Sequence, residues 1–110
     1  MSLEIIPRDR WISFLDSFVS IHRSNLFNLE KLKMKNKNIL IASDLKLRAI
    51  YINNNGYEAT TIITGDKPGI ELSHLINEVK NITLEKDTRG NDKALYINSS
   101  HNCVVVLILE

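Results

Sequence analysis

The sequence predicts an α+β domain in which one N-terminal helix packs on a curved, mostly antiparallel β-sheet, closed as a sandwich or as a partly open barrel. Three observations predict it. Trp11, Phe14, Leu15, Phe18 and His22 recur at the spacing of one helix face. After Asn25 the apolar period falls to two and holds for most of the remaining chain. Turn-forming clusters separate these period-two segments at short intervals, as in a series of hairpins.

The helix is expected over residues 7–22 or 7–23. Pro7 suits its first position, because the missing N–H would have no partner there. Glu4 and Asp9 place negative charge near the positive end of the helix dipole. Ser24 and Asn25 end it, with His22 and Arg23 in the last turn, where cations are favoured. Burial of Trp11, Phe14 and Phe18 contributes about 2–3 kcal/mol each, which makes the helix an anchor of the fold. Residues 1–3 carry no weight in this reading.

Strands are expected over 26–33, 38–43, 45–53, 57–64, 81–86, 93–98 and 103–109. Asn55-Gly56 reads as a tight hairpin turn, where a positive φ is cheap. Lys67-Pro68-Gly69-Ile70 places Pro and Gly where a type II turn wants them. Residues 88–92 and 99–102 read as polar hairpin loops. Residues 70–79 fit either a helical stripe (Leu72, Leu75, Ile76, Val79) or a short strand, and their position between a Pro-Gly turn and another strand favours the strand. The last strand is apolar on both faces, which marks it as central and covered twice. The helix covers one face; the sheet curling over, or a second subunit, must cover the other.

The bulk properties bound the function. With 110 residues the chain is one domain, able to bury a real core. Its 44% hydrophobic and 25% charged residues belong to a globular chain. A net charge of +1 argues against a protein ruled by attraction to nucleic acid or acidic membranes, while permitting a local patch. The lone Cys103 rules out an intrachain disulfide framework. No secretory leader pattern and no membrane-length apolar run is read in the sequence, so the expected location is the cytoplasm.

The segment Ile6-Pro7-Arg8-Asp9-Arg10-Trp11, the helix that follows, Asp44-Leu45-Lys46-Leu47-Arg48, and Gly65-Asp66-Lys67-Pro68-Gly69 with Leu72, Ser73 and His74 carry a resemblance that spans nearly the whole chain. They resemble a small bacterial family known only as a domain of unknown function, with an Ile-Pro-Arg-x-x-Trp helix and a Gly-Asp-x-Pro-Gly turn. This chain has Asn25-Leu26 where that family has Gly-Trp after the helix. The resemblance implies a small stand-alone bacterial protein and no particular activity.

Few residues offer chemistry. His22, His74 and His101 are too dispersed for a metal-binding pair, and no metal or cofactor is expected. His22 reads as a helix C-terminal residue and His101 as a hairpin tip. Asp66, just upstream of His74 across a turn, is placed to hold a histidine tautomer for acid–base work, although a turn aspartate more commonly binds backbone N–H groups. Cys103 reads as a buried thiol of low reactivity. No nucleophile elbow or phosphate-cradling loop is present, and all four glycines are explained by turns. Arg8 opposes the helix dipole and calls for a carboxylate partner or a bound anion; Arg48 belongs to the same candidate anion group. Lys31, Lys33, Lys35 and Lys37 alternate along an extended segment, enough for weak, salt-sensitive phosphate contact. They are better read as a solvated hairpin protected from edge aggregation.

The leading expectation is a non-enzymatic interaction module, acting as a homodimer or with a protein partner. The alternative is a small-ligand or anion-binding protein, or a weak enzyme, using Asp66, His74, Arg8 and Arg48. Nucleic-acid contact through Lys31, Lys33, Lys35 and Lys37 ranks below both.

Overall fold

The computed structural model describes residues 2–33, 37–54, 58–67, 70–76, 78–99 and 104–109. The chain opens with strand β1 (Ser2–Ile6), a 3₁₀ turn (Arg8–Arg10) and helix α1 (Trp11–Ile21). Seven strands follow: β2 (Leu26–Lys33), β3 (Lys37–Asn54), β4 (Glu58–Lys67), β5 (Ile70–Ile76), β6 (Val79–Lys86), β7 (Asp92–Ser99) and β8 (Val104–Leu109). All eight belong to one sheet in the order β1-β6-β7-β8-β2-β3-β4-β5, and every described pair is antiparallel. The expected α+β class is thus the observed one, and the sheet closes as a half-barrel.

Covalent geometry imposes the curvature. In the sheet order β5 and β6 stand six spacings apart, roughly 29 Å if the sheet were flat. Only residues 77 and 78 join them, so the Cα atoms of Ile76 and Val79 lie at most about 11 Å apart. The sheet must therefore curl until its two ends approach. In keeping with this, β4 and β6 come within 8 Å of one another between Cα atoms. The connection leaves Glu78 at φ 53°, a left-handed conformation that costs a non-glycine residue about 1 kcal/mol or more.

Strand β3 supplies the bend. Its 18 residues would extend over roughly 60 Å, whereas the longest dimension of the molecule is 35 Å. The first half pairs with β2 and the second with β4; Lys46 is opposite both Leu26 and Gly65. Register shifts fall opposite Asn28, between Leu29 and Glu30, and at Arg48. Each inserts an extra residue, which bends and twists the strand. The two strands expected at 38–43 and 45–53 are therefore one, because Asp44 lies in a bulge rather than a turn.

The concave face holds the core. Trp11, Leu15, Phe18 and Val19 of α1 join Ile6, Phe27, Leu29, Leu45, Leu47, Ile50, Ile76, Val79, Ile82, Leu84, Leu95 and Ile97 in one buried cluster. Phe27, Leu29, Ile82, Leu95 and Ile97 are fully inaccessible. Phe14 and Leu109 pack against the cluster from its margin. Among the described elements α1 lies closest to β3.

The helix is shorter than expected. Pro7 has φ −58° and ψ 142°, extended backbone that cannot enter an α-helix, and the 3₁₀ turn intervenes before Trp11. The Trp11 Nε1–H donates to the Ile6 carbonyl at 3.0 Å, which fixes the angle between β1 and α1. Residues 2 and 3, given no weight from the sequence, belong to β1, which pairs with β6 from Ser2↔Lys86 to Ile6↔Ile82. Residues 70–76 form the favoured strand. At the β6–β7 hairpin Gly90 takes φ 83°. There the Asp87 Oδ1 accepts the N–H groups of Arg89 and Asn91 at 2.8 and 3.0 Å. The expected turns at Asn55-Gly56 and Pro68-Gly69, the expected loop at 99–102 beyond Ser99, and Cys103 lie outside the described residues.

Two substitutions test this core. Phe27→Ala is expected to cost about 3–5 kcal/mol in denaturant unfolding, because it opens a cavity at the centre of the curl. Trp11→Phe keeps most of the ring but deprives the Ile6 carbonyl of its donor, and is expected to cost about 1–2 kcal/mol.

Candidate functional site

The convex face follows from strand alternation. Ile6, Ile82, Leu84, Leu95 and Ile97 point into the core, so Ile5, Thr83 and Tyr96 point the other way. Register aligns the residues of this face into rows. One row is Glu30, Val106, Tyr96, Thr83 and Ile5; the next is Asn28, Ile108, Ala94, Glu85 and Leu3.

Leu3 and Ile5 are 68% and 72% exposed on this face. Ala94 shares this alternation, is 2% exposed and stands apart from the core cluster. Glu85 is buried too, and its charge is compensated locally. The Tyr96 hydroxyl donates to Glu85 Oε1 at 2.6 Å, and the Lys93 ammonium lies 3.7 Å from Oε2. One row further, the Asn98 amide donates to Asn81 Oδ1. Burial, the bond to Glu85 and the charges of Glu85 and Glu30 push the Tyr96 phenol from 10.0 up to about 12. Asn28 Oδ1, opposite the β3 bulge, is buried with no hydrogen-bond partner among the described residues.

A second polar cluster lies where α1 ends. His22 caps the helix, its N–H donating to the Phe18 carbonyl at 3.1 Å. Its ring packs tilted against Phe18 with centroids 4.7 Å apart and meets Phe27 edge-on at 6.2 Å. Nε2 lies 2.7 Å from Asp92 Oδ2, and Nδ1 lies 3.1 Å from Asn25 Oδ1. The His22 and Asp92 side chains are 11% and 20% exposed. The pair clamps the end of α1 to the first residue of β7. Both ring nitrogens lie within hydrogen-bond distance of a side-chain oxygen, so the cluster ties the helix end on both sides.

The sequence-predicted site residues are dispersed. Asp66 lies near the end of β4, whereas His74 sits in β5 opposite Ile62, four residues back along β4, roughly 13 Å along the strand. Their side chains lie outside the described residues. Arg8 stands on the 3₁₀ turn with its guanidinium 5.0 Å from the Trp11 ring centroid, a cation–π contact of about 0.5–1 kcal/mol at an exposed site. Arg48 is exposed and is the extra residue of the β3 bulge opposite β4. Lys31 shares the concave-face alternation of Phe27 and Leu29 and is half-buried. Lys33 and Lys37 form the last β2–β3 pair, and Lys35 lies outside the described residues.

Among the described residues no group of three or more His, Cys, Asp or Glu is placed to hold a metal. No helix among them is long and apolar enough to cross a membrane. Comparison with family models, curated proteins and solved structures finds no match to this chain.

Sequence reasoning missed the Leu3–Ile5 patch and both polar clusters. The alternation in Ser2-Leu3-Glu4-Ile5-Ile6 was its only signal for the patch. Nothing local links Asp92 to His22, 70 residues away.

A double-mutant cycle on His22→Ala and Asp92→Ala is expected to give a coupling of about 1–3 kcal/mol, and additive effects would contradict the clamp. Tyr96 has a distinct pH signature. Its folded-state pKa is raised, so its stabilising contribution is complete below the ordinary value of 10.0 and is lost as pH rises through about 12. Chemical denaturation between those limits is expected to show a steeper loss for the wild type than for Tyr96→Phe.

Proposed function

We propose that this chain is a non-enzymatic interaction module that docks a protein on the convex face of its sheet. One observation carries the reading: two large aliphatic side chains, Leu3 and Ile5, stand 68% and 72% exposed side by side on one face of a paired strand. Burying such groups contributes about 2–3 kcal/mol each, which a contact surface uses. The central strand supports the same reading. β8 lies between β7 and β2, and its alternate residues Val106 and Ile108 hold register positions in the rows that lead to β1, with Val104 at the same parity. A sheet whose middle strand is apolar at both parities calls for a layer on each side. α1 lies on one side, and the docked protein is the second layer.

The alternative of a ligand site around Asp66 and His74 gains no support from the register. The contact on Trp11 gives Arg8 a role that needs no anion.

Site-specific photo-crosslinking tests the proposal. Benzoylphenylalanine placed at Ile5 is expected to yield a protein–protein adduct in cells. The same group at Ile12, 56% exposed on α1, is expected to yield none. Equal yields at the two positions, or no adduct at Ile5, would sink the reading.

A further inference from the structure

We infer that β8 is a self-association segment: released from its place in the sheet, it pairs with the β8 of a second copy in a stacked cross-β assembly. The inference does not depend on a protein docking on the convex face, because it concerns the chain with β8 displaced.

The residues of β8 single it out. Val104–Leu109 reads VVVLIL, and among the eight described strands it alone has no charged or polar residue. Val104, Val105, Val106 and Ile108 are β-branched, which favours extended backbone. The segment holds no Pro and no Gly, and both of its parities are apolar. Identical segments of this composition stack in register about 4.8 Å apart, with dry apolar contacts on either side of the stack.

The surrounding sequence supplies no guard. No Asp, Glu, Lys or Arg stands between Lys93 and Glu110, the longest such run in the chain. The other apolar stretches have charge close at hand. Residues 38–43 lie between Lys37 and Asp44, and residues 59–65 lie between Glu58 and Asp66. Flanking charges of this kind hold back stacking. A net charge of +1 adds little repulsion between copies.

The fold protects the segment by position. β8 lies between β7 and β2. Val104, Val105, Val106, Leu107 and Ile108 each pair with β7 on one side and β2 on the other, so both ladder edges are taken. The edges of the sheet fall to β1 and β5, which carry Glu4 and Glu71. Charge on an edge strand discourages strand addition there. The protection depends on distant sequence, however. Even at its shortest span the β2–β8 ladder joins Leu32 to Val104, so it waits on the closure of a long loop. Before that closure, and after any opening of the sheet, the edges of β8 are free to meet another copy.

The test is incubation of the full chain at its denaturant midpoint, read by thioflavin T fluorescence and then by proteolysis and mass spectrometry of the product. Fibrils are expected, with a protease-resistant core that contains residues 104–109. Val106→Lys, held at its own midpoint so that the unfolded fractions match, is expected to lengthen the lag at least about tenfold. Ile41→Lys, in the apolar stretch of β3, is expected to change it by less than about twofold. Mapping the wild-type core needs no variant to fold. A resistant core that excludes residues 104–109, a wild type that forms no dye-binding product, or equal lags for Val106→Lys and Ile41→Lys overturns the inference.

Discussion

Two residues join β5 to β6 across what would be six strand spacings of a flat sheet, and the rest of the architecture follows from that shortness. The sheet curls because its ends are tied. β3 bends because it pairs with β2 through one half and β4 through the other. Its bulges take up the mismatch, and Glu78 bears a left-handed backbone at the tie itself. A curled sheet has a concave interior that its strands cannot fill alone. Trp11, Leu15, Phe18 and Val19 of α1 contribute to filling it. Helix and curvature are thus one solution, with the His22–Asp92 clamp and the Trp11–Ile6 bond fixing the helix at either end.

Much of this was legible in the residues, for physical reasons. α1 carries a continuous apolar stripe, and β2 alternates from Phe27 to Glu30, so the class and most strands could be read. The misreadings share one cause, which is that tertiary context overrode a local signal. Asp44 reads as punctuation, yet a bulge absorbs it within β3. Pro7 reads as a helix start, yet the Trp11 anchor sets the helix back by a 3₁₀ turn. Five N-terminal residues are too few to announce a strand, and β1 exists because β6 offers it an edge. The polar pairs lay beyond reach because their partners meet only after the sheet has formed. Asp66 and His74 looked close across a turn, but the strands continue past that point, and the pairing register carries His74 away along β5.

Curling has a second consequence. It gives the sheet a full interior and sets a second row of residues on the convex face. The buried Glu85, held by Tyr96 and Lys93, lets that face carry polar groups without presenting bare charge. Leu3 and Ile5 then stand as its aliphatic margin.

The central claim is that the curled sheet and α1 stand or fall together. Native-state hydrogen exchange of Phe18→Ala tests it most directly. If the account holds, the slowest amides of β2, β3, β6 and β7 lose protection by the same free energy, as one cooperative unit with the helix. Loss confined to α1, with the strands exchanging as slowly as in the wild type, would show a sheet that keeps its curvature unaided and would contradict the account.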